Sequence, residues 1–132
     1  MSEENVELFR QLIDAYNRRD IEPMLATLHP EAEWYPITAV VEGDEPYRGR
    51  EGIRQWWENI NATFEEFEAS IDEVRDLGAA VLALGHLRAR FRSGVPLETE
   101  IGWLTRYDGG LAVWGHTYPS HAEALEAAGL SE

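Results

Sequence analysis

A chain of 132 residues without cysteine has the size of one domain, so residues 1–132 read as a single unit with one core. It can carry neither disulfides nor thiolate metal chemistry. Twenty-five acidic against eleven basic residues give a formal net charge of −14, which repels phosphate backbones and anionic headgroups and argues against nucleic-acid and membrane partners. No apolar run reaches the length of a membrane span, and Met1-Ser2-Glu3-Glu4 lacks a basic region or signal core, so a cytoplasmic location is expected.

Ser2 can cap a first helix with Glu3 and Glu4 in its first turn, and Val6, Phe9, Leu12, Ile13 and Tyr16 then recur at helical spacing. A second short helix is expected from Asp20, with Pro23 tolerated in its first turn, Met24, Leu25 and Leu28 packing it down, and His29-Pro30 ending it. Ala32 to Tyr35 reads as a strand stopped by Pro36, and Ile37 to Pro46 as a solvated loop whose acids are Glu42, Asp44 and Glu45. Tyr47-Arg48-Gly49-Arg50-Glu51-Gly52 leads into a third helix bearing Ile53, Trp56, Trp57, Ile60 and Phe64. Adjacent helical residues lie about 100° apart, so one of Trp56 and Trp57 should face the core and the other a groove or partner.

Phe67 to Leu77 reads as a strand whose alternation shifts at Val74. Between Ala79 and Pro119 the period becomes two, the signature of strands. Val81, Ala83, Gly85, Leu87, Ala89 and Phe91 share one face, with His86, Arg88, Arg90 and Arg92 on the other. Leu97, Thr99, Ile101, Trp103, Thr105 and Tyr107 alternate with Glu98, Glu100 and Arg106, and Val113, Gly115 and Thr117 with Trp114, His116 and Tyr118. Three-residue turns at Ser93-Gly94-Val95 and Asp108-Gly109-Gly110 would set Arg88 opposite Glu100, Arg90 opposite Glu98, and Trp103 between Gly85 and Gly115. His86 and His116 would then flank Gly102. They could share an ion only if a third ligand such as Glu100 joined them, and neither a metal nor a cofactor is expected. Ser120-His121-Ala122-Glu123 has capping-box spacing before a last helix closed at Gly129. The fold class is therefore α+β, a cone-shaped curved antiparallel sheet with helices packed on its concave face.

Tyr47-Arg48-Gly49-Arg50-Glu51-Gly52-Ile53 before Trp56-Trp57, the Tyr107-Asp108-Gly109 turn, and Tyr118 followed by Glu123 to Leu130 resemble the SnoaL-like branch of the nuclear-transport-factor-two-like superfamily. The resemblance spans essentially the whole chain. It implies a pocket on the inner face of the cone, and ketosteroid isomerases, polyketide cyclases, epoxide hydrolases and dehydratases among the relatives. The isomerases' base position matches Tyr35, their oxyanion acid Trp103, and their oxyanion tyrosine falls near Leu12. The epoxide hydrolases' Asp-Arg-Asp positions fall near Gly85, Leu87 and Thr117. On this reading the inner face has no acid–base carboxylate, and Tyr35 and His116 are the weak catalytic candidates.

The expected ligand contacts are Tyr16, Tyr35, Tyr47, Trp56, Leu87, Phe91, Ile101, Trp103 and Thr117. They suit a small, largely apolar metabolite. An isomerase, cyclase or dehydratase is the alternative, and a structural or interaction protein with a self-filled pocket is the third possibility. The outer face, with His86, Arg88, Arg90, Glu98, Glu100, Trp114, His116 and Tyr118, is expected to form a homodimer, its aromatics otherwise lying exposed.

Overall fold

A computed structural model describes residues 2–36 and 46–130; residues 37–45 of the acidic loop lie outside the described residues. The elements are α1 (Ser2–Asn17), α2 (Ile21–Ala26), β1 (Leu28–Tyr35), β2 (Tyr47–Arg48), α3 (Gly49–Thr63), β3 (Phe64–Asp76), β4 (Ala80–Phe91), β5 (Pro96–Asp108), β6 (Leu111–Tyr118) and α4 (His121–Ala127). The strands form one sheet in the order β2-β1-β6-β5-β4-β3. All joints are antiparallel except β1–β6, where Trp34 lies beside Gly115 and Tyr35 beside His116 in parallel. Register breaks at Leu28/Glu33, Ile71/Glu73 and Arg106/Tyr107 bend the strands as bulges do and give the sheet its curvature. The break at Ile71/Glu73 is the pattern shift seen at Val74.

The element ends differ from the expected ones for local reasons. Thr27 donates its hydroxyl to the Met24 carbonyl at 2.7 Å and terminates α2. His29-Pro30 therefore belongs to β1 rather than to a helix end, and His29 Nδ1 accepts from the Glu31 N–H at 3.0 Å.

The cross-strand partners are also corrected. Phe91 donates to the Val95 carbonyl at 2.9 Å, so the first loop is Arg92-Ser93-Gly94. Gly94, with φ of 96°, takes the left-handed third position such a loop requires. The register moves by two: Arg88 faces Glu98, His86 faces Glu100, and Arg90 faces Pro96. The second loop is Gly109-Gly110, both with positive φ, as a two-residue primed turn demands. With the following bulge, Trp103 lies between Ala83 and Thr117, and Gly102 between Leu84 and Tyr118. A shift of two leaves each side chain on its face.

Two apolar clusters occupy the two faces. Beneath α1, α2 and α3, the concave core joins Phe9, Ile13, Met24, Ile53, Trp56 and Trp57 to Phe67, Val81, Ala83, Leu87, Ile101 and Trp103. On the convex face Leu82, Leu84 and Leu104 pack with Ala124 and Leu125 of α4. The helices are thus not all concave. Ser120 Oγ accepts from the Glu123 N–H at 3.2 Å and the Glu100 carboxylate from the His121 N–H at 2.9 Å, which together start α4. A Cβ on Gly102 would come 2.4 Å from that of Ala124, so this glycine lets the helix lie down on the sheet.

Candidate functional site

The concave face encloses a cavity of about 40 Å³ bounded by α1, α2, α3, β1, β5 and β6. Phe9 and Leu12, Met24, Ile53 and Trp56, Ala32 and Trp34, Trp103 and Thr105, and Ala112 and Gly115 form its wall. Glu33 and Trp114 join them where β1 loses register with β6 between Leu28 and Glu33. The void is small because the aromatics interlock. Trp34 meets Trp56 edge-on with ring centroids 5.4 Å apart, and Phe9 meets Trp103 at 5.7 Å. A Cβ on Gly115 would lie 2.8 Å from the Trp34 ring, so the glycine is the seat of that indole. One water takes up about 30 Å³ of liquid, so the cavity admits an organic molecule only if an indole turns aside.

Among the described residues, the buried side-chain atoms Trp34 Nε1, Tyr107 Oη and Thr117 Oγ1 lack a hydrogen-bond partner. A buried donor left unpaired costs about 1–3 kcal/mol, and Trp34 carries its donor on a residue of the cavity wall. Burial also raises the Tyr107 phenol well above its ordinary value. It does the same to Tyr16, where Arg19 acts weakly in the opposite sense. Both phenols are therefore neutral donors and unfit as bases near neutral pH.

Of the expected contacts, Trp56 and Trp103 line the cavity. Leu87, Ile101 and Thr117 are buried on the same face but stand outside its wall. Tyr16 stacks on Trp56 at 6.3 Å and packs on Phe67 at 4.8 Å, inside the aromatic core and away from the wall. Tyr47 is half-buried, and its hydroxyl accepts from Asn59 Nδ2 at 3.2 Å. Phe91 sits at the end of β4 against Phe64, centroids 4.8 Å apart. Trp56 and Trp57 are both buried: the 100° between them is spanned by one core, Trp57 packing on Tyr16 and Phe67.

Tyr35 requires correction in its facing, and His116, which stands on the outer face as expected, only as a catalytic candidate of the cavity. They stack on each other at 5.0 Å on the convex face, and His116 stacks on Tyr118 at 4.2 Å. Neither reaches the cavity. Trp34 takes the inward place expected for Tyr35, and the alternation Leu28, Ala32, Trp34 was the signal for it. Glu33 borders the cavity but alternates with the inward Trp34, and its carboxylate lies outside, 3.4 Å from Nη1 of the exposed Arg48.

A larger groove of about 590 Å³ runs past Arg19, Phe67, Arg88, Ala89, Leu97 and Glu98. It is open, edged by charges of both signs, and Arg19 covers the Phe67 ring at 4.4 Å. It lacks the converging buried polar groups of a ligand site, so the smaller cavity is the stronger candidate. Among the described residues, side chains with metal-ligand spacing gather elsewhere, at Asp72, His86 and His121. His116 stands opposite Leu104, so the arrangement of His86 and His116 about Gly102 does not form.

Residues 9–115 match the model of the SnoaL-like domain. No curated protein matches the sequence. The chain is similar in structure to an NTF2-like protein of unknown function from Burkholderia pseudomallei, with 21% identity, a TM-score of 0.81, and 93% of this chain and 95% of that one covered. It is similar to TerC co-crystallised with polyporic acid, at 18% identity, TM-score 0.80, and 93% and 96% covered. It is also similar to IdmH, a putative polyketide cyclase from Streptomyces antibioticus, at 21% identity, TM-score 0.73, and 95% and 98% covered. At these identities the likeness is one of fold.

Proposed function

Because this chain belongs to the SnoaL-like domain family, we propose that it binds a small, flat, largely apolar molecule between Trp34, Trp56 and Trp103. The carrying observation is the buried, unpaired indole N–H of Trp34 on a wall residue of an otherwise apolar cavity. An apolar site with a buried free donor suits a planar molecule that carries an acceptor, such as a ketone or quinone oxygen. Entry needs the Trp34 ring to leave its seat over Gly115, so binding is coupled to a side-chain rotation. TerC, of the same fold, was co-crystallised with polyporic acid, which supports an organic ligand for such a scaffold. The enzymatic alternative, an isomerase, cyclase or dehydratase, would have to work by polarisation alone, since the Glu33 carboxylate beside the cavity is turned to Arg48.

The test is a tryptophan-fluorescence titration with 2-acetylnaphthalene and with naphthalene. Saturable binding of both is expected, with the ketone roughly two- to tenfold tighter, the worth of one hydrogen bond. Trp34→Phe should erase that preference. No saturable change with either probe would favour the second reading, a cone filled by its own aromatics, which the 40 Å³ volume supports. The uncovered charged part of the convex face remains our proposed dimer contact, although Trp114 and Tyr118 already pack against the α4 cluster. Sedimentation as a 15.0 kDa species at micromolar concentration would refute it.

A further inference from the structure

The convex face carries side chains that neither the cavity nor the core uses. Asp72 of β3, His86 of β4 and His121 at the start of α4 each present one ligand atom, and these atoms lie within 4.8 Å of one another. From this convergence we propose that the chain binds one divalent transition-metal ion here, clipping α4 to the sheet.

Each residue arrives for a separate structural reason. Asp72 is the unpaired residue of the β3 bulge, since Ile71 faces Gly85 and Glu73 faces Leu84. A bulge re-aims its side chain, and here the carboxylate reaches His86 Nδ1 at 2.7 Å. His121 is fixed by its own ring: Nε2 lies 2.7 Å from the Gly85 carbonyl oxygen. A carbonyl only accepts, so Nε2 carries the proton and the lone pair of the neutral ring sits on Nδ1. Metal-binding imidazoles are held in this way, one nitrogen donating to a backbone carbonyl while the other ligates. Glu100 supplies a further carboxylate, its Oε1 3.8 Å from that Nδ1.

The fit to a metal follows from donor chemistry and size. Two imidazoles with carboxylates suit zinc, cobalt, nickel or copper rather than magnesium or calcium. Tetrahedral zinc with bonds near 2.0–2.2 Å holds its ligand atoms about 3.3 Å apart. An ion would widen the Asp72–His86 pair from 2.7 Å and draw His121 nearer. Asp72 and His86 have side chains half open to solvent, at 51% and 52% relative exposure, so both can change rotamer, and the proton shared between them is released to water on binding. The net charge of −14 also draws cations to the surface. An ion held by native β3, β4 and α4 together, and by no unfolded chain as tightly, stabilises the fold by mass action.

The test uses the full chain stripped of metal, titrated with zinc chloride or magnesium chloride by calorimetry and thermal unfolding. The expected result is one zinc ion per chain and a midpoint that rises with zinc and not with magnesium. His86→Gln and His121→Gln should each weaken zinc binding at least about tenfold, and Asp72→Asn by about ten- to a hundredfold. His29→Gln should leave it unchanged. Since His121→Gln also removes the bond to Gly85, His86→Gln at its exposed position decides the matter. Zinc binding that is absent at micromolar protein, or that survives His86→Gln unaltered, overturns the proposal.

Discussion

On the concave face of the central strands Val81, Ala83, Leu87, Ile101 and Trp103 are buried beneath three helices. On the convex face burial stops at Leu82, Leu84 and Leu104 under α4 and gives way to Arg88, Arg90 and Glu98. The same backbones thus serve two different kinds of packing. The concave side is held by burial, which asks only that the right residues face inward. The convex side depends on register, because an ion pair, a glycine under a helix or a pair of imidazoles works only with its correct neighbour.

The largest effect expected from breaking this contrast is at Trp103, which is 5% exposed. Trp103→Ala should cost about 3–5 kcal/mol by urea unfolding, and a loss below 1 kcal/mol would mean that the indole carries little of the core. Gly102→Ala attacks the other side, because its Cβ would strike Ala124. It should cost about 1–3 kcal/mol and raise hydrogen exchange in α4 while leaving α1 protected.

A pH titration sharpens the comparison, since Tyr16 and Tyr107 both belong to the concave cluster. Burial raises both phenols in the folded state. Their contribution is therefore whole below the ordinary value of about 10 and is lost as pH climbs above it, by up to about 1.4 kcal/mol per pH unit for each. Urea midpoints compared between about pH 9 and about pH 11 should show that fall, and Tyr107→Phe should lessen it. The smallest effect belongs to Arg88 and Glu98, 3.3 Å apart with side chains 71% and 73% exposed. A double-mutant cycle should give a coupling of a few tenths of a kcal/mol, whereas Arg88 with Glu100 should give none.

The contrast also explains what the sequence made legible. The inward placing of Leu87, Ile101, Trp103 and Thr117 follows from alternation alone, which a two-residue slip does not disturb. The partners of Arg88, His86 and Trp103 depend on where Gly94, Gly109 and Gly110 take positive φ, which residue counting between strands misplaces. The inward reading of Tyr35 sets the face of β1 one residue off, where the alternation of Leu28, Ala32 and Trp34 turns Trp34 inward. The convex position of α4 had no local signal, since it rests on Gly102 meeting Ala124 from another part of the chain. His121 reaches His86 only through that packing, so its neighbourhood could not be read from spacing.

The parallel joint between β1 and β6 has a consequence for the order of events at synthesis. Trp34 pairs beside Gly115, a partner that leaves the ribosome later by roughly 4–16 s at the usual elongation rate of about 5–20 residues per second. For that interval β1 has no β6 edge to join, and the aromatic wall around Trp34 and Trp56 lacks its seat at Gly115. The hairpins from β3 to β6 pair with near neighbours in the chain and can form as they emerge. Docking of the first strand on β6 therefore comes late in assembly, and until then the exposed indoles of Trp34 and Trp56 are the surface a chaperone would meet.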